Sequence, residues 1–195
     1  MKSPKLTAIP TVFQGCTYRS RLEARWAAAF DALGIAVTYE EEGYQSDSGD
    51  NYLPDFAING SKDVVSIKPL QDAIDHTEAF RRELDWQWCF GKVGRRLWII
   101  AGVPQPNKYR VHPPQSAGGK AYSVFADCRR CQGVCYTETE GREWGTFGPH
   151  ACRQHDRRPT EADRVHAAMK RAMAERFGER NNALAIEAQI AGVKS

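Results

Sequence analysis

Three stretches of this chain hold side chains whose types and spacing point to chemistry. Pro54-Asp55 and Ser66-Ile67-Lys68 lie on either side of an Asn59-Gly60 turn signal, so an acid and a lysine sit on the two arms of one predicted β-hairpin. Strand side chains alternate between faces, which puts Ser66 and Lys68 on the same side. Asp55 and Lys68 can therefore meet at one point. The third stretch is Cys128-x2-Cys131, twenty residues, then Cys152-x2-His155. That spacing fits a structural zinc site, because zinc takes four tetrahedral N/S ligands and two short knuckles deliver them cheaply. Cys135 and His150 are spare candidates for a position. A full set of four ligands leaves no open coordination site, which argues for a structural zinc and against a catalytic one. The competing reading is a set of ordinary buried cysteines.

The elements that must position these groups can be read from periodicity. Tyr52 to Ile58 and Val64 to Lys68 are rich in β-favouring residues, and Pro69 closes the second strand because it has no amide to donate. Upstream, the spacing predicts a helix over 20–33, with Leu22, Trp26, Ala29, Phe30 and Leu33 as its apolar stripe. Ser20 with Glu23 fits a capping box and Gly34 fits the stop. Residues 36–40 predict a short strand and 45–50 a polar loop. A helix is expected over about 72–90, with Phe80, Leu84 and Trp88 forming its stripe and Arg81, Arg82 and Glu83 around it. Residues 97–101 read as a strand buried on both faces, and 109–112 as a short edge strand. Residues 1–12 read as an extended lead-in.

The acid, the lysine and their order in the chain resemble the PD-(D/E)XK nuclease superfamily, the restriction-endonuclease-like phosphodiesterases. Pro54-Asp55 matches the PD, and Ser66-Ile67-Lys68 matches the (D/E)XK except that Ser66 stands where the family has an acid. Glu23 matches the family's upstream glutamate. The likeness covers roughly 10–112 and is nearest the phage and mobile-element branch, which includes Holliday-junction resolvases and transposon-end endonucleases. It implies an α/β fold with a central mixed sheet flanked by helices, and a metal-dependent DNA endonuclease or junction resolvase. Its cofactor would be Mg²⁺ or Mn²⁺, which take carboxylate, carbonyl and water oxygens. Asp55 would be the principal ligand, the Ile67 carbonyl another, and Glu23 would bind directly, through water, or at a second metal. Lys68 would orient or deprotonate the attacking water, or stabilise the pentavalent charge. Arg19, Arg21 and Arg25 beside Glu23 could hold phosphates. For Ser66 three readings stay open. An acid could have moved, from Asp63, Asp72 or Asp75; the site could run on Glu23 and Asp55; or the module is catalytically dead and binds nucleic acid or a protein.

Each residue also has a structural reading. Glu23 at N3 caps a helix, Lys68 at a strand end is a solvated charge, and the arginines are a solvated helix face. Composition is that of a globular chain of 195 residues with a net charge of only +3, which permits DNA without demanding it. No apolar run is long enough for a membrane span, and the N-terminus lacks a signal-peptide core, so the expected location is cytoplasmic, in a bacterium or phage-infected cell. The organisation expected is a nuclease core over 1–112, a linker over 113–120, a zinc module over 121–158 and a helical tail over 159–195 that includes a possible last helix at 182–191. The resemblance leaves a homodimer open.

Overall fold

The computed structural model describes residues 8–105, 108–114, 123–127, 133–138, 143–147 and 163–177. Its first helix, α1 (Arg21–Ala32), starts and stops where local chemistry dictates. The Ser20 hydroxyl accepts the Glu23 amide at 3.2 Å. At the other end Gly34 takes φ +70, and the Gly34 and Ile35 amides return to the Asp31 and Phe30 carbonyls, each at 2.9 Å. This is the paired closure that a left-handed residue after the helix permits. Trp26, Ala29, Phe30 and Leu33 are buried as the stripe predicts, and Leu22 is half-buried.

The chain is a mixed α/β protein. A hairpin, β1 (Thr11–Phe13) with β2 (Cys16–Tyr18), replaces part of the expected lead-in. It turns on Gln14 and Gly15, both at positive φ. The central mixed sheet runs β3 (Val37–Tyr39), β6 (Phe56–Ile58), β7 (Asp63–Lys68), β8 (Arg96–Gly102), β9 (Tyr109–His112). Only β7 and β8 pair in parallel; the other neighbours are antiparallel. Between β3 and β6 the expected loop folds on itself as a small hairpin, β4 (Tyr44–Gln45) with β5 (Asn51–Tyr52). The β6–β7 connection is longer than a two-residue turn. Gly60 alone takes positive φ, and the Ser61 hydroxyl closes the loop on the Asp63 carboxylate at 2.6 Å.

Helices cover both faces. On one, α1 and α4 (Asp163–Ala174) pack on Phe56, Ile58, Val65, Ile67, Trp98 and Ile100. On the other, α2 (Leu70–Ile74) and α3 (Glu78–Lys92) cover Ala57, Val64, Leu97, Ile99 and Ala101. The alternation along β8 shows why its sequence is apolar throughout. The single helix expected over 72–90 is two helices. His76 takes φ +47, Thr77 caps α3 by accepting the Phe80 amide at 3.2 Å, and its own amide ends α2 on the Asp72 carbonyl. The stripe also differs from the expected one. Phe80, Glu83, Trp86, Gln87 and Phe90 face inward, while Trp88 is 60% exposed.

The strand at 109–112 is not an edge. β10 (Ser123–Asp127) joins it through Ser123 and Val111, and β11 (Val134–Glu138) and β12 (Glu143–Thr146) follow, giving eight described strands in one sheet. Phe125, Val134, Phe147, Val165 and Met169 share one hydrophobic cluster with Trp26 and Phe30. Described residues on both sides of 115–122 thus share one core, and most of the linker expected over 113–120 lies outside the described residues. The possible helix at 182–191 lies outside the described residues.

Candidate functional site

The site is built where β6 and β7 part. Their register pairs Phe56 with Val65, so one step further Asp55 comes opposite Ser66. There the Asp55 side chain, 4% exposed, takes over from the ladder. Its Oδ2 accepts the Ile67 amide at 2.6 Å, and the Ser66 hydroxyl lies at 3.5 Å. The Asp55 carbonyl meanwhile accepts the Glu40 amide beyond the end of β3. A carboxylate so deep in the protein resists ionisation. Burial, with the Glu23 charge adding to it, lifts the carboxyl to about 6 against the pull of Lys68, the Ile67 amide and Arg19.

Glu23 reaches the same region from N3 of α1. One of its oxygens accepts the Ser20 hydroxyl at 2.6 Å and the other the Tyr39 phenol at 2.5 Å. Burial and that carboxylate both push the Tyr39 phenol up. The group that joins the two acids is Arg19. Its Nη2 lies 2.7 Å from Asp55 Oδ1, its Nε 2.6 Å from Glu40 Oε1 and 4.0 Å from Glu23 Oε2. One guanidinium thus gathers three carboxylates, Asp55 and Glu23 among them.

Lys68 stands on the α3 side of β7 with Ser66, in keeping with strand alternation. Its Nζ is 2.7 Å from Glu83 Oε1, and its side chain stays 27% exposed. The other Glu83 oxygen accepts the Tyr52 phenol. Burial raises the Tyr52 phenol well above its usual range and the Glu83 charge adds to this, while the nearby Ser66 hydroxyl works against it. Lys68, Glu83 and Tyr52 therefore form one polar group, and Asp55 with Ser66 and the Ile67 amide another. Glu83 is the residue that sequence reasoning passed over. It falls three residues after Phe80 on the buried face, and a glutamate at such a position was the available signal.

The acids first considered as replacements for residue 66 lie elsewhere. Asp63, at the opposite end of β7, is fully buried and meets Arg96 Nε and Nη2 at 2.6 and 2.7 Å, the Trp98 indole and the Ser61 hydroxyl. Asp75 is exposed and accepts Gln71. Asp72 is half-buried on α2. Of the arginines, Arg19 spends its fork on acids instead of waiting for phosphates. Arg21 is exposed. Arg25 reaches 2.8 Å from the Met173 carbonyl and 3.2 Å from the Ala172 carbonyl, so it caps the end of α4, and its guanidinium lies over the Phe177 ring.

The fit to a divalent ion can be judged from these donors. Mg²⁺ commonly takes one or two protein carboxylates and fills its octahedron with water and phosphate oxygens. Asp55 and Glu23 supply that kind of donor around a point already occupied by positive charge. Among the described residues, no group of three or more His, Cys, Asp or Glu side chains is gathered closely enough to hold a metal ion. Cys128, Cys131, Cys152, His155 and His150 lie outside the described residues; Cys135 is buried on β11. Among the described residues no helix is long and apolar enough to cross a membrane. The chain matches no protein-family model, no curated protein and no solved structure.

Proposed function

We propose that this chain is a metal-dependent DNA phosphodiesterase of restriction-endonuclease-like architecture, an endonuclease or Holliday-junction-resolvase-like enzyme. One observation carries the reading. The Asp55 carboxylate caps the Ile67 amide where β6 and β7 separate, and shares the Arg19 cation with Glu23 from the preceding helix. Two acids from different elements sharing one cation is the feature that supports the reading. The five central strands in mixed order, with α1 on one face and α3 on the other, agree with the same architecture.

Asp55 and Glu23 are the residues that would hold Mg²⁺ or Mn²⁺. Such an ion, when bound, neutralises phosphate charge and makes a water more acidic. The chain's own contribution is positional. Asp55 is fixed by a backbone amide, so its second oxygen is aimed without side-chain freedom. Arg19 holds the acids together, its Nη2 on the Asp55 oxygen that would be needed to hold such an ion. Lys68 brings an ammonium to the open side of the site, where it can stabilise charge building on a pentavalent phosphorus. A structural zinc held by Cys128, Cys131, Cys152 and His155 belongs to the same proposal.

Ser66 favours a second reading, a nuclease scaffold that binds nucleic acid or a protein without cutting. A hydroxyl is a neutral and poor ligand for Mg²⁺ where a carboxylate would be charged. Incubating the full chain with linear and four-way-branched DNA in Mg²⁺ or Mn²⁺ separates the two. Cleavage that disappears in Asp55→Ala supports the enzyme. DNA binding without cleavage, equal in wild type, Asp55→Ala and Lys68→Ala, favours the scaffold reading.

A further inference from the structure

Two neighbouring residues at the end of β3 grip Arg19, and neither belongs to the motif. The Tyr39 phenol accepts the Arg19 amide at 2.9 Å, and Glu40 Oε1 lies 2.6 Å from Arg19 Nε. Consecutive side chains of a strand point to opposite faces, so both can reach one residue only where the backbone turns. It turns at Glu40, which takes φ +47, a left-handed conformation that glycine or asparagine adopts more readily. Strain of this kind persists where the surroundings enforce it, and it gathers at functional sites. Here the strained residue is tied to Asp55 twice. Its amide donates to the Asp55 carbonyl at 3.0 Å, and its carboxylate holds the arginine that pairs with the Asp55 side chain.

That hold fixes where the guanidinium lies. Asp55 turns Oδ2 inward onto the Ile67 amide, which leaves Oδ1 as the oxygen facing outward, and Arg19 Nη2 lies on it at 2.7 Å. The Asp55 side chain is 5% exposed and that of Arg19 55%, so Arg19 stands on the solvent side of the acid. A side chain so exposed has few packing contacts to lose when it swings away, and its ion pairs add little to stability. We propose that Glu40 is a positioning residue of the site. By holding Arg19 at Nε it latches the guanidinium over Asp55, and Asp55 opens to a divalent cation only when Arg19 turns to solvent or to another anion. The inference rests on the nuclease reading above.

Calorimetry of Mn²⁺ with the full chain, without DNA, tests the latch. Arg19→Gln should bind Mn²⁺ about fivefold more tightly than wild type, the ratio that a partly exposed ion pair can hold back. An arginine that merely ties the start of α1 to the sheet would loosen the acids on removal and weaken binding instead. Glu40→Gln should tighten binding by a smaller factor, because Arg19 keeps Asp55 and loses its second anchor. Weaker binding in Glu40→Gln makes Glu40 itself a ligand and overturns the latch. If Arg19→Gln does not fold, Glu40→Gly carries the test. It removes the anchor and relaxes the left-handed backbone, and it too should bind Mn²⁺ more tightly than wild type. Binding that depends on Asp55 but is unchanged or weaker in Arg19→Gln overturns the inference alone. Binding no tighter in wild type and in Arg19→Gln than in Asp55→Asn overturns the nuclease reading and the inference together.

Discussion

Replacing Asp55 with asparagine should make the protein more stable at neutral pH, and the pH dependence of the gain can be worked out. Burial holds the carboxyl at about 6 in the folded chain, against an ordinary 3.8. The folded value is the higher one, so the stability that goes with the protonated acid is complete below about pH 4. It is lost as pH rises through 6. The difference between those values corresponds to about 3 kcal/mol of destabilisation above pH 7. The asparagine amide is neutral at every pH and keeps an oxygen for the Ile67 amide. The ion pair of Asp55 with Arg19 exists only while the acid is ionised, so that loss is already contained in the shift to about 6. Urea unfolding of wild type and Asp55→Asn in chelator, from about pH 4 to 8, should therefore give a difference that moves by about 3 kcal/mol in favour of the variant. In a chain of this length that amounts to roughly 6–12 °C in Tm. The comparison must be made as a difference, because His112 works in the opposite sense. Burial, then Arg110 and His76, hold that imidazole down to about 4, so wild type and variant alike lose stability as pH falls below 6.5. A difference flat with pH, or one that turns against the variant as pH rises, would refute the reasoning. Mn²⁺ should then raise the stability of wild type and leave the variant where it was.

Other expectations follow from single residues. Gly102 sits at φ +106, and a Cβ there would lie 2.1 Å from the Lys108 carbonyl oxygen. Gly102→Ala should cost several kcal/mol or prevent folding, as read by expression and thermal melting, whereas Gly34→Ala, with open space around it, should cost about 1 kcal/mol of left-handed strain alone. Arg25→Met should loosen α4 by about 1–2 kcal/mol through loss of its bonds to the last-turn carbonyls, seen as faster amide exchange in α4. Metal analysis of the full chain should find about one zinc per molecule, lost in Cys128→Ser, as expected of a four-ligand structural site.

Much of the scaffold was legible because its determinants are local. Ser20, Glu23 and Gly34 bound α1 through bonds within a few residues, and the Pro54–Pro69 stretch declares two strands and their parting. The long-range partners were not legible. The helix periodicity in 78–92 is real, but anchoring it on Trp88 instead of Trp86 rotated the inward face and hid Glu83 among surface charges. Arg19 looked like one arginine in a basic helix face, yet it lies before the helix, and its partners Glu40 and Asp55 are 21 and 36 residues away. Arg25 meets carbonyls 147 and 148 residues on.

The sheet that continues beyond β9 has a practical consequence. A fragment ending near residue 114, the natural cut for anyone isolating the first part of the chain, would strip Phe125 and Phe147 from the rings of Trp26, Phe30 and Trp98. It would also leave the outer side of β9 without the strand that meets it at Val111. Bare strand edges beside exposed aromatic rings recruit other chains. Truncation there should yield insoluble material, and a soluble piece must keep the strands after 123 and α4.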